Sequence, residues 1–137
     1  MIDEVSFFDA AGGMPFFEAL VSGFYARVET DPVLRPLYPE PDLAGARRRL
    51  TLFLAQYWGG PRTYDVERGH PRLRMRHLPF AIGPRERDAW LAAMHSAIAD
   101  LDPPSDVAAR LRAYFDMAAE AMRNRDEIRS DRGVSGG

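Results

Sequence analysis

Three histidines, five tyrosines, two tryptophans and no cysteine set the chemistry open to this chain. Two of the histidines, His70 and His77, fall in GHPRLRMRHLPFAIG (69–83), which carries Arg72, Arg74 and Arg76 and no acidic residue. Without cysteine, disulfides, thiolate metal sites and cysteine nucleophiles are all excluded. No H-E-x-x-H occurs, and Glu67 with His70 is the one Glu-x-x-His pair where a di-iron carboxylate bundle needs two, so neither a two-histidine zinc site nor such a bundle fits. The glycines form neither G-x-G-x-x-G nor a phosphate-binding loop. What remains is a site that needs one protein imidazole.

Each histidine also has a purely structural reading. His70 precedes Pro71, which holds it extended as a solvated or capping residue. His95 lies on a helix flank between Leu91 and Ile98, and is expected to be half-buried and bonded to backbone. His77 follows Leu73 by four residues, and Phe80 and Ile82 come just past Pro79. On spacing alone a structural histidine is the default there too. Its neighbours point further, because imidazole, large apolar side chains and arginines together suit a flat apolar ligand with an axial metal position and two carboxylates. Haem is such a ligand: its iron takes a single proximal His, and its propionates match the arginine fork.

Helices must position these groups. Between Pro15 and Thr30, Phe17, Leu20, Val21, Phe24, Tyr25 and Val28 repeat at helical spacing, bounded by Gly12-Gly13 and by Asp31-Pro32. The four-proline stretch DPVLRPLYPEPD (31–42) holds at most a brief helix. Asp42 reads as an N-cap for a helix whose face is Leu43, Ala46, Leu50, Phe53, Leu54 and Tyr57, ending at Gly59-Gly60. Residues 61–72 read as a polar loop, and Pro71 to His77 as about two turns of helix, on the basis of helical periodicity. Pro84 opens a further helix with Trp90, Leu91, Met94, Ile98 and Leu101 inward. The last begins near Ser105 and turns Val107, Leu111, Tyr114, Phe115, Ala118 and Met122 inward. No segment alternates as a strand would, so the fold class is all-α, with four main helices in two pairs.

The 137 residues fit one domain, expected over 1–125, with 126–137 expected to be a disordered tail on its polar, Gly-rich composition. All 18 basic residues are arginine, and the formal net charge is −2. That charge gives no reason to expect nucleic acid or an anionic membrane as partner. No apolar run is long enough for a membrane span. The acidic N-terminus lacks the pattern of a signal peptide, so a cytoplasmic location is expected. The methionines and surface apolar residues permit a homodimer.

The segments FYARV (24–28), LRPLYPE (34–40), LAGARRRLTLFLAQYWGGPRTY (43–64), RGHPRLRMRHLPF (68–80) and RDAWLAAMH (87–95) together resemble the truncated haemoglobins, the 2-on-2 globins, specifically group II. The match leaves out only the tail. The resemblance implies a globin-like, truncated 2-on-2 α-helical sandwich holding haem b (iron protoporphyrin IX), with His77 as the proximal iron ligand. It places Tyr25, Tyr38 and Trp90 on the distal side as hydrogen-bond donors and Ala46 where longer globins carry their distal histidine. Leu50 lies one turn further along that helix. Arg49, Tyr64 and Arg76 match positions that reach the propionates. Phe53, Leu73 and Phe80 are candidate walls.

The implied function is binding of O2, and of other diatomics such as CO and NO, at ferrous haem iron, with slow O2 release. Each donor holds the ligand by about 1–1.5 kcal/mol. An alternative is a redox enzyme, an NO dioxygenase or a peroxidase-like catalyst, served by an external reductase. A third reading is a cofactor-free helical interaction module with a structural His77.

Overall fold

A computed structural model describes residues 6–68 and 82–122. The expected Pro71–His77 helix and the tail from 126 lie outside these residues. So do His70, Leu73, Arg76, His77 and Phe80.

The longest apolar repeat in the sequence forms the central helix. We label the helices α1 (Phe7–Ala11), α2 (Gly13–Thr30), α3 (Ala44–Tyr57), α4 (Thr63–Arg68), α5 (Pro84–Leu101) and α6 (Ser105–Met122), with a 3-10 turn at Arg35–Leu37 before α3. Along α2, Phe17, Leu20, Val21, Phe24, Tyr25 and Val28 are all buried. This is the stripe expected of a helix covered on its inner side. Packing on α3 and α5 buries it, while α5 also packs on α6. Two helix pairs, α2 with α3 and α5 with α6, thus meet through α2 and α5. The expected all-α sandwich is present, and no strand occurs among the described residues.

The glycine breaks have a physical cause. Gly12, with φ +128°, turns the chain from α1 into α2, in a region that side-chain-bearing residues rarely adopt. At Gly60 a Cβ would stand 2.8 Å from both the Ala55 carbonyl oxygen and the Phe8 ring. The bare backbone therefore lets α1 sit against the end of α3, where the Phe8 amide donates to the Trp58 carbonyl at 3.0 Å. Ser6 caps α1, its hydroxyl accepting from the Asp9 amide at 3.1 Å.

Four local expectations are corrected. Helix α3 is capped at Leu43, not Asp42; the Asp42 carboxylate instead accepts from the Ala44 amide at 2.7 Å, tightening the turn one residue earlier. Tyr57, placed on the inner face of α3, is 51% exposed. The stretch read as a loop contains α4, pinned to α3 by a reciprocal pair: the Gln56 amide donates to Asp65 at 2.9 Å and accepts from the Asp65 backbone at 3.0 Å. Leu101 ends α5 facing outward, and Ala93 and Ala97 line the inner face instead. Ala97 lies opposite Gly23 of α2, and two small residues allow these helices a close approach.

Candidate functional site

Tyr25 on α2, Tyr38 just after the 3-10 turn and Trp90 on α5 converge, although they come from three separate elements. Tyr25 and Trp90 are both buried, at 4% and 8% exposure. The Tyr25 ring meets Tyr38 edge to face with centroids 5.4 Å apart, and Phe24 bridges Tyr25 to Trp90 at 4.9 and 5.2 Å.

Their hydroxyls and indole form a directed set. Burial pushes the Tyr25 phenol well above its ordinary value; the neighbouring Tyr38 and the proton Tyr25 donates to it raise it further, while Arg49 pulls it back. Tyr38 is also raised by burial, but hydrogen bonds from Tyr25 and Trp90 oppose the shift. An indole N–H can only donate, so the Tyr38 oxygen accepts from both neighbours.

Beside this set, α3 presents Ala46, buried at 4% exposure, and the half-buried Leu50 and Phe53. Ala46 carries a small side chain and no polar group. Phe53 packs edge-on to buried Tyr64 of α4, with centroids 5.4 Å apart. A recess of about 10 Å3, lined by Leu37, Tyr38, Ile82, Trp90, Ala119 and Met122 among others, adjoins the tyrosine and the tryptophan. It is large enough for roughly one water molecule.

Two contributors, Glu40 and Arg35, had no role in the sequence reading. Arg49 donates from Nη2 to Glu40 at 3.0 Å, and the other carboxylate oxygen of Glu40 is buried without a hydrogen-bond partner. Both charges act on the Tyr25 phenol, Arg49 downward and Glu40 upward. Glu40 is held in place by Arg35, whose guanidinium donates to the carbonyls of Tyr38 at 2.6 Å, Glu40 at 2.7 Å and Pro41 at 3.1 Å. The signal was present in LRPLYPE, where Arg35 and Glu40 bracket Pro36 and Pro39 with Pro41 just beyond, so that three amide donors are missing.

His95 is half-buried as expected, but its partners are side chains rather than backbone. Arg112 donates to Nδ1 at 2.6 Å and Nε2 faces Asp116 at 2.9 Å. A guanidinium cannot accept, so His95 is the Nε2-protonated neutral tautomer. It belongs to the contact between α5 and α6, apart from the tyrosine set. Among the described residues no group of His, Asp and Glu could hold a metal ion.

The profile of the family described as Bacterial-like globin matches residues 6–124. The chain belongs to that family. The globin is 39% identical over 115 residues to Group 2 truncated hemoglobin YjbI of Bacillus subtilis, covering 84% of this chain and 86% of that one. A thermostable hemoglobin from Thermobifida fusca superposes with a TM-score of 0.86 at 54% identity, over 88% of this globin and 98% of that chain. A truncated oxygen-avid haemoglobin from Bacillus subtilis superposes at 0.82 with 38% identity, over 88% and 100%. The resemblance to group II truncated haemoglobins read from the sequence is borne out, and so is the globin fold.

The described residues fit a haem. Leu50 and Phe53 offer half-exposed apolar surface on one helix, Ala46 of that helix adds no polar group, and Tyr25, Tyr38 and Trp90 bring hydroxyl and indole donors to the same core. No helix among the described residues is long and apolar enough to cross a membrane.

Proposed function

We propose that this globin binds one haem b through His77 and takes O2, CO or NO at the ferrous iron, with Tyr25, Tyr38 and Trp90 retaining the ligand. When bound, haem supplies an iron centre with one open position for a diatomic molecule. The observation that carries the reading is the convergence of Tyr25, Tyr38 and Trp90 from three separate elements, with Tyr25 packed edge-on to Tyr38 and joined to Trp90 through Phe24. A hydroxyl fixed in this way needs little reorganisation to meet a partially negative ligand, which is the advantage of a preorganised donor.

Leu50, Phe53, Leu73 and Phe80 form the apolar walls. Arg49, Tyr64 and Arg76 take the propionates; Arg49 has donors beyond the one given to Glu40. The description of the Bacillus subtilis relative as oxygen-avid supports slow release here. Slow release in turn favours a second reading, in which the held ligand is turned over in an NO dioxygenase or peroxidase-like reaction fed by an external reductase.

Titration of the purified protein with haem, followed by reduction and exposure to CO, tests the proposal. A Soret band saturating at one haem per chain and shifting under CO is expected, with normal axial ligation lost in His77→Ala. Absence of a saturable band returns the chain to a cofactor-free interaction module.

A further inference from the structure

All five tyrosines and both tryptophans of the chain lie among the described residues, and they join a single run of ring contacts. From the distal end, Tyr38 meets Tyr25, Phe24 links Tyr25 to Trp90, and Trp90 meets Phe115 at 5.8 Å. Phe115 then meets Tyr114 at 5.2 Å and Trp58 at 6.2 Å. Both of these touch Tyr57, at 4.5 and 5.1 Å. Tyr64 joins through Phe53, which lies 6.4 Å from Tyr57. The run has one open end: Tyr57 is 51% exposed, whereas the other six are buried or half-buried.

Indole and phenol rings are the side chains that part with an electron most readily once cysteine is absent, as it is here. A phenol that loses an electron must also lose its proton. Burial holds the protons of Tyr25, Tyr38 and Tyr114 in place, while Tyr57 has water beside it. An electron vacancy entering the run therefore comes to rest at the surface.

We propose that Tyr57 is a surface oxidation site, at which oxidising equivalents from hydrogen peroxide leave the distal pocket along the aromatic run and are passed to phenolic reductants too bulky to enter. This rests on the haem-binding reading above. Tyr57 gives one electron to the run and its phenolic proton to water. It then recovers a hydrogen atom from the donor phenol, leaving a phenoxyl radical in solution. Two such cycles supply the two electrons and two protons that reduce one peroxide to two waters, so that H2O2 and two phenols give two waters and two phenoxyl radicals.

The test uses the haem-loaded full chain mixed with hydrogen peroxide, first without a reductant and then with a phenol coupled to a dextran polymer. Without reductant, covalent dimers form, and peptide mass spectra place the dityrosine link at Tyr57. Tyr57→Phe keeps the ring packing and the rate of the peroxide-driven Soret change, but loses both the dimers and the oxidation of the polymer-bound phenol. Dimers that persist in Tyr57→Phe, or a link at another tyrosine, overturn the proposal while leaving haem binding intact. A Soret band indifferent to peroxide in the unaltered chain overturns the peroxide chemistry, and this site with it.

Discussion

Tyr25 donates its hydroxyl proton to Tyr38 across an edge-to-face contact of 5.4 Å between ring centroids. Tyr38 is thereby the acceptor for one tyrosine and one tryptophan at once. Its removal is expected to do more than the removal of either donor. Tyr38→Phe takes away the hydroxyl proposed to meet the ligand and strands two buried donors, each at a cost of about 1–3 kcal/mol. Oxygen release measured by stopped flow should quicken by about five- to tenfold, with a lower melting temperature. Tyr25→Phe and Trp90→Phe should each quicken release and keep haem. Unchanged release in all three variants removes the donor set from the function.

Alkaline pH separates these phenols from ordinary ones. The folded-state values of Tyr25, Tyr38 and Tyr114 are raised above the ordinary value of about 10. Above that pH the unfolded chain gives up phenolic protons that the folded chain keeps, so unfolding gains favour. The contribution is whole below about pH 10 and declines as pH rises from there toward the folded values. Urea midpoints taken between neutral pH and pH above 10 should fall, and Tyr114→Phe should blunt the fall. A midpoint that stays flat contradicts the assignment.

The ion pair of Glu40 and Arg49 tunes Tyr25 more than it holds the fold together. Both side chains are more than a third exposed, and such pairs contribute about 1 kcal/mol or less. Glu40 raises the Tyr25 phenol and Arg49 lowers it. Glu40→Gln should therefore move part of the tyrosinate absorbance titration to lower pH with little change in stability. Arg49→Gln should move it the other way. Equal titration curves in the two variants would show that the pair lies electrically outside the site.

Gly60 offers a test of packing. Adding one methyl group there meets the Ala55 carbonyl and the Phe8 ring at 2.8 Å. Gly60→Ala should cost about 1–3 kcal/mol and lower the melting temperature by several degrees, on the order of 2–8 °C per kcal/mol. The cause is loss of the α1 contact with α3. An unchanged melting curve means that α1 can shift without cost.

How far the sequence could be read depended on how locally each feature is specified. Six apolar residues of α2 share one face at helical spacing, and all six are buried; nothing distant is needed to see that. Helix α4 was invisible because only Tyr64 turns fully inward, while its other large apolar residue, Val66, is 85% exposed. Tyr57 fits the face of α3 by spacing, yet the helix ends there and the ring emerges. The convergence of Tyr25, Tyr38 and Trp90 came from family likeness alone, since no spacing joins three elements. Glu40 escaped because a single acid among prolines carries no periodic signal.

The proline-rich linker ahead of α3 illustrates a shortage and its remedy. Pro36, Pro39 and Pro41 contribute carbonyls but no amide hydrogens, so the segment carries more acceptors than its own backbone can satisfy. Arg35 makes up that deficit from a side chain, spreading one planar cation over three carbonyls. A lysine has the charge but not the flat, many-armed shape for that task. The backbone that carries Tyr38 is thus fixed from the linker itself, by one guanidinium standing in for three missing amides.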